Sequence, residues 1–129
     1  QNSERRVEVI SNQQNPFIGS SELFERFFQN AFSNIERYTP ADADVKVNVV
    51  QSPAGFELNI DDAGPGLAGL GAGQQITAFK RFDESRSREV GGSGLGLSIM
   101  AKIVEKHGGE MRLSRSSLGG LRISVFLPI

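Results

Sequence analysis

The spacing of apolar residues changes several times along the chain, and each change marks an element. Around Val7 and Val9 apolar and polar positions alternate, which predicts a short strand over Arg6 to Ile10, followed by the polar segment Ser11 to Asn15 and then Pro16. From Leu23 to Pro40 the period becomes helical. Phe24, Phe27, Phe28, Ala31 and Ile35 gather on one side, and Glu25, Gln29 and Glu36 on another. Ser20 and Ser21 are placed to cap this helix, Glu22 lies in its first turn, and Pro40 stops it. Alternation returns at Val45, Val47 and Val49, breaks at the turn Ser52-Pro53-Ala54-Gly55, and resumes at Phe56, Leu58 and Ile60, predicting an antiparallel hairpin. Leu95 to Lys106 is helical again, with Leu97, Met100, Ala101 and Val104 on one side, and Gly108-Gly109 ends it. Met111 and Leu113, then Leu121, Ile123, Val125 and Leu127, form a second hairpin turned at Ser116 to Gly120.

Between the first hairpin and the second helix, Leu67 to Ser93 has no sustained period. Leu67 and Leu70 stand among glycines and alanines, Phe79 and Phe82 form a small apolar patch, and Asp83 to Val90 carries charges of both signs. A loop of that length inside a compact domain is usually functional. The element order implies a two-layer α/β sandwich, with one mixed, mostly antiparallel sheet and helices on a single face. Hairpins do not supply parallel crossovers, which disfavours a doubly wound sheet.

The first helix has a third face. Arg26, Asn30, Ser33, Asn34 and Arg37 line one polar stripe, with two carboxamides one turn apart in mid-helix. Asn is a mediocre helix former because its side chain competes for backbone hydrogen bonds, so the pair suggests a role other than making helix. Carboxamide oxygens suit Mg²⁺, a hard cation usually held by one or two protein oxygens together with substrate phosphates. The flanking guanidiniums make the stripe cationic. Taken alone, the same stripe also reads as a solvated face.

Composition narrows the field. The 129 residues, 38% of them hydrophobic, suffice for one domain with a real core. Fourteen basic and fifteen acidic residues give a net charge of −1 and no extended basic surface for nucleic acid. Without cysteine there is no disulfide, thiolate metal site or cysteine nucleophile. No apolar run approaches the roughly 18 residues of a spanning helix, and the chain reads as a domain excised from something longer.

Two glycine clusters carry further chemistry. In Asp62-Ala63-Gly64-Pro65-Gly66 a carboxylate at a strand end can accept a hydrogen bond from an exocyclic amine such as adenine's, while the glycines allow a flat base to approach the backbone. Gly92-Ser93-Gly94-Leu95-Gly96-Leu97 lies where a loop becomes a helix, a place where backbone N–H groups suit anionic phosphates. Taken singly, the first reads as a turn, and the second is a bare glycine-rich string that does not follow a strand.

In this order the motifs resemble those of the ATP-binding domain of sensor histidine kinases, within the GHKL ATPase superfamily. Asn30, Asn34, Arg37 and Tyr38, followed by Thr39-Pro40, resemble the N-box; Asp62 to Gly66 the DxGxG box; Gly92 to Leu97 the second glycine box. Phe79 and Phe82 resemble the F-box. The resemblance implies the Bergerat fold, with Leu67 to Ser93 as the ATP lid. It also implies ATP and Mg²⁺ as cofactors. Asp62, Gly64 and Gly66 would then receive adenine, Asn34 and Asn30 the metal, and Arg37 with the Gly92, Ser93, Gly94, Leu95 and Gly96 backbone the phosphates. Leu97, Tyr38 and Phe82 complete the implied nucleotide site, although Tyr38 equally reads as a cap on the core. Ile35 and Arg37 depart from the family's usual Ala and Lys, and no base contact is assigned to Gly119 to Arg122.

Superfamily members that activate water or a hydroxyl resemble one another in a Glu one turn before the metal-binding Asn. Here that place is Asn30, which cannot act as a general base, whereas an imidazole can attack without one. The expected function is therefore transfer of the ATP γ-phosphoryl group to a histidine in a separate dimerisation domain. The implied partners are that domain and a response regulator, in a homodimeric full-length protein, this piece being monomeric and belonging to the cytoplasmic part of a bacterial inner-membrane sensor. A serine kinase of the anti-sigma type and a nucleotide-sensing module without transfer activity are the alternatives. His107, the single histidine, reads as structural.

Overall fold

The computed structural model of the chain describes residues 5–64 and 96–128. Gly66, Phe82, Gly92, Ser93, Gly94 and Leu95, with the rest of the expected lid, lie outside them. Seven elements follow one another: β1 (Val7–Ser11), α1 (Ser21–Tyr38), β2 (Val45–Ser52), β3 (Gly55–Asp62), α2 (Gly96–Lys106), β4 (Glu110–Arg115) and β5 (Leu121–Pro128).

The strands form one five-stranded sheet in the order β1-β2-β3-β5-β4. β2–β3, β3–β5 and β4–β5 are antiparallel, and β1–β2 is parallel because α1 serves as the crossover between them. The sheet is thus mixed and mostly antiparallel, as the hairpins predict, with one βαβ unit that the period of the strands alone did not reveal.

Register puts the apolar set on one face. Val47 pairs with Ile60, Ile60 with Ile123, and Leu113 with Ile123, and all of these side chains are buried. Against them pack Phe27, Ala31 and Ile35 of α1 and Leu97, Met100, Ala101, Ile103 and Val104 of α2. Phe27 is fully buried, and truncating it to alanine would cost about 3–5 kcal/mol.

Two expectations shift. Phe28 belongs to the apolar side of the α1 wheel but lies at its margin, 36% exposed. Strand β1 begins and ends one residue later than the alternation suggests, and it is exposed throughout. Val7 and Val9 share a face with Val45 and Val47, yet the described helices leave this edge strand uncovered.

Candidate nucleotide site

α1 starts where Ser20 accepts the N–H of Leu23 on its hydroxyl at 3.1 Å. It stops at Thr39, whose N–H and hydroxyl both donate to the carbonyl of Ile35, at 3.0 and 2.6 Å. Between these ends the polar stripe divides. Asn34 follows Phe27 by seven residues, two helical turns, and so falls on the core side, where it is buried. Asn30 and Tyr38 are half-buried, and Arg26, Ser33 and Arg37 are exposed.

The two carboxamides differ in how they are held. Nδ2 of Asn30 donates to the carbonyl of Arg26 at 2.9 Å, a bond along its own helix. That turns Oδ1 toward the start of α2, where a β-carbon on Gly96 would lie 3.6 Å from it. Asn34 has Nδ2 buried with no hydrogen-bond partner among the described residues. Native interiors rarely leave such a group unpaired, and leaving one costs about 1–3 kcal/mol.

Asp62 ends β3 on the helix-facing side, in step with Ile60, and is buried. Its Oδ1 accepts two backbone N–H groups, from Gly64 at 3.0 Å and from Leu121 at 3.1 Å. The N–H of Gly120 donates to its carbonyl at 3.2 Å. One carboxylate oxygen is therefore fixed by the turn that follows β3 and by the start of β5, while Oδ2 has no hydrogen-bond partner among the described residues. A side chain at Gly120 would run into this carboxylate, and one at Gly64 would lie 2.5 Å from the Thr39 methyl. Both glycines are required by close approach.

The neighbouring Asp61 points to the opposite face. Its Oδ1 accepts Nε of its cross-strand partner Arg122 at 2.8 Å, so consecutive carboxylates have separate tasks.

The start of α2 thus lies beside Asn30 and the turn after Asp62 lies beside Thr39, with Asn34 between them on one helix. Nine residues at about 1.5 Å each separate Asn30 from Thr39, roughly 13 Å. Leu97, expected at the ligand, has its side chain in the core, so only its backbone could face one. Among the described residues no three His, Cys, Asp or Glu side chains converge on a metal position, so a cation here would rest on carboxamide oxygen and on the phosphates themselves. The unpaired Asn34 amide, the half-satisfied Asp62 and the bare glycines at both ends fit a magnesium nucleotide.

Comparison with known proteins decides the family. Residues 19–129 match the family described as histidine kinase-, DNA gyrase B- and HSP90-like ATPases. The chain belongs to this ATPase family. The sensor histidine kinase CpxA of Escherichia coli K12 is 34% identical over 114 residues, covering 88% of this chain and 24% of CpxA. The sensor-type histidine kinase PrrB of Mycobacterium tuberculosis H37Rv is 37% identical over 99 residues, 77% of this chain and 21% of PrrB. The chain therefore spans about a quarter of the length of the relatives it matches. Among solved structures, a mycobacterial sensor histidine kinase, MprB, superposes with a TM-score of 0.75 at 32% identity, covering 97% of this chain and 82% of that one. The ATP-binding domain of M. tuberculosis PrrB gives a TM-score of 0.67 at 26% identity, covering 97% and 80%.

Three residues in contact with Asp62 or with the end of α1 escaped the sequence reading. Leu121 acts through its N–H and Gly120 through its lack of a side chain, and neither leaves a trace beyond a glycine pair before a strand. The third is Arg5, which donates to Thr39, Pro40 and Ala43. One of two adjacent arginines beside a glutamate, it gives no signal in the sequence.

Proposed function

We propose that this domain binds ATP with Mg²⁺ and transfers the γ-phosphoryl group to a histidine on a separate dimerisation domain, as the catalytic part of a two-component sensor kinase. The observation that carries the reading is the alignment of both glycine-box ends along the N-box face of α1, with the unpaired Asn34 amide between them. In this reading Oδ2 of Asp62 accepts the exocyclic amine of adenine. Asn34 gives its carboxamide oxygen to the metal, and its NH₂ group is left to donate to phosphate. Asn30 joins Asn34 at the metal, and Arg37 and the first N–H groups of α2 meet the remaining negative charge. The bound metal supplies charge neutralisation between the outer phosphates; the protein's contribution to phosphoryl transfer is positioning and electrostatics.

Asn30 cannot take a proton from the nucleophile, which suits an imidazole acceptor rather than a hydroxyl. Gly66, Phe82, Gly92, Ser93, Gly94 and Leu95 would complete the nucleotide contacts. The relatives named as bacterial sensor histidine kinases support a sensor; in this reading the domain is its cytoplasmic part, the full-length protein is dimeric and a response regulator lies downstream.

The test is titration with ATP, ADP and GTP, with and without Mg²⁺, for the wild type and Asp62→Asn. Adenine nucleotides should bind, and GTP should bind at least about tenfold more weakly, because guanine presents a carbonyl where adenine presents an amine. Asp62→Asn keeps an acceptor for Gly64 and Leu121 but sets a donor against the adenine amine. Its affinity should fall by about 10- to 100-fold with little loss of stability. Equal affinity for GTP, or an unaffected Asp62→Asn, would overturn the base assignment. Transfer of label from ATP to a helical-hairpin fragment carrying an acceptor histidine tests the second half, and absence of transfer from a domain that binds ATP would leave a sensing module instead.

A further inference from the structure

Arg5 lies just before β1 and is half-buried against the far end of α1, more than thirty residues along the chain. One guanidinium nitrogen, Nη1, donates to the carbonyl of Ala43 at 2.7 Å and to Oγ1 of Thr39 at 3.2 Å; the other, Nη2, donates to the carbonyl of Pro40 at 3.0 Å. A planar fork is needed to reach all three acceptors, and a lysine ammonium would not span them.

What this does to Thr39 follows from its hydroxyl. The Thr39 hydroxyl spends its proton on the Ile35 carbonyl at 2.6 Å, so toward Arg5 it can only accept. With Oγ1 held from two sides, rotation about the Cα–Cβ bond is fixed and the methyl has one direction. That direction is toward Gly64. A β-carbon there would lie 2.5 Å from Cγ2 and 3.0 Å from Cβ of Thr39, so the methyl rests directly on the Gly64 backbone. The N–H of Gly64 is one of the two donors that fix Oδ1 of Asp62.

We propose that Arg5 is a positioning residue for the base end of the nucleotide site, acting through Thr39 and Gly64 on the Asp62 carboxylate. The inference rests on the nucleotide reading above. It differs from a simple brace on the loop after α1, whose Pro40 and Ala43 carbonyls Arg5 also binds, because a brace would support the fold without favouring one end of the ligand. Arg5 touches the base end through a chain of contacts, whereas Asn34 and Asn30 serve the metal and phosphates.

The experiment compares wild type, Arg5→Ala, Arg5→Lys, Thr39→Val and Thr39→Ser. Each is titrated with adenosine, ADP and ATP, with and without Mg²⁺, well below its own unfolding temperature, which is measured separately. In Arg5→Ala, affinity should fall about 5- to 30-fold, by the same factor for adenosine, ADP and ATP, with the gain from Mg²⁺ unchanged. Arg5→Lys should recover little of this. Thr39→Val should match Arg5→Ala, and combining the two should add nothing, since both break one chain. Thr39→Ser, which keeps the hydroxyl but loses the methyl, should bind adenosine less well than wild type. Wild-type affinity in Arg5→Ala despite a lower unfolding temperature, or a loss confined to Mg²⁺·ATP, would overturn the inference alone. A wild type that binds no adenine compound would overturn the nucleotide reading, and this inference with it.

Discussion

Nε2 of His107 accepts the backbone N–H of Ser20 at 3.1 Å, so the residue just after α2 satisfies a donor at the start of α1. An N–H can only donate, which places the ring proton on Nδ1, and that atom meets the carbonyl of Ile103 at 2.8 Å. The ring also packs 4.6 Å from the centroid of Phe24 and 5.9 Å from that of Phe17. Gly19 passes so close that a β-carbon would lie 2.8 Å from the imidazole. Both nitrogens are in structural use, so His107 is a brace between α1 and α2. Replacing it with alanine should lower stability by about 2–3 kcal/mol in thermal unfolding and leave nucleotide affinity unchanged. Wild type incubated with ATP should carry no phosphoryl group on this ring.

Neighbouring glycines in the last turn should respond differently to alanine. At Gly120 a β-carbon would collide with the Asp62 carboxylate and stand 2.6 Å from its carbonyl oxygen and 2.7 Å from the Gly64 nitrogen. Gly120→Ala should therefore lose more than about tenfold in nucleotide affinity and about 1–3 kcal/mol in stability. At Gly119 nothing among the described residues lies within 4 Å, but φ is +102°, so the cost there is backbone strain of about 1 kcal/mol. Its affinity should stay at the wild-type value. Paired titrations and unfolding curves separate the two.

The ion pair between Asp61 and Arg122 offers a test on the other face of the sheet. The carboxylate side is 3% exposed and the arginine side 37%. Arg122→Met strands a buried carboxylate, and since solvent reaches the guanidinium the expected loss is about 1–3 kcal/mol, below that for a fully buried pair. Adding Asp61→Asn should restore part of it, because a neutral amide is cheaper to bury unpaired than a charge. A double-mutant cycle by chemical denaturation measures the coupling.

Much of the architecture was legible because period and punctuation agree. Alternation at Val45, Val47 and Val49 and at Phe56, Leu58 and Ile60, with Ser52 to Gly55 between, leaves little choice but a hairpin, and Ser20 and Pro40 bracket α1. The parallel pairing of β1 was harder to see. Its side chains are exposed, so no buried face specifies its partner, and only the crossover of α1 fixes it. At the proposed site, the residues given a role through their side chains, Asp62, Asn30 and Asn34, already stand out as candidates in the sequence. Those that act through backbone or through emptiness do not. The Leu121 amide, the Gly120 gap and the reach of Arg5 to Thr39 depend on which strand ends meet at the first helix's C-terminus. A helical wheel placed Asn34 in a polar stripe, but the width of the core-facing side decides that it is buried while Arg37 is not.

The unpaired Asn34 amide sets stability against function. Nδ2 is buried without a partner among the described residues, and the helix around it is packed through Phe27, Ala31 and Ile35. A leucine is nearly the same size, removes the unmet donor and is a better helix former. Asn34→Leu should therefore be as stable as wild type or more so, by up to about 2 kcal/mol, in thermal unfolding without nucleotide. The same change removes the carboxamide oxygen assigned to the metal. In wild type, chelating Mg²⁺ should weaken ATP binding by at least about tenfold, whereas in Asn34→Leu the affinity should already be low and should respond little to the metal. Adenosine, which carries no phosphate, should bind the two proteins alike. If Asn34→Leu kept the full gain from Mg²⁺, the metal would be held elsewhere. If it were markedly destabilised, the amide would have a structural partner. Only a residue kept for its ligand should give a more stable protein that has lost its response to the cation.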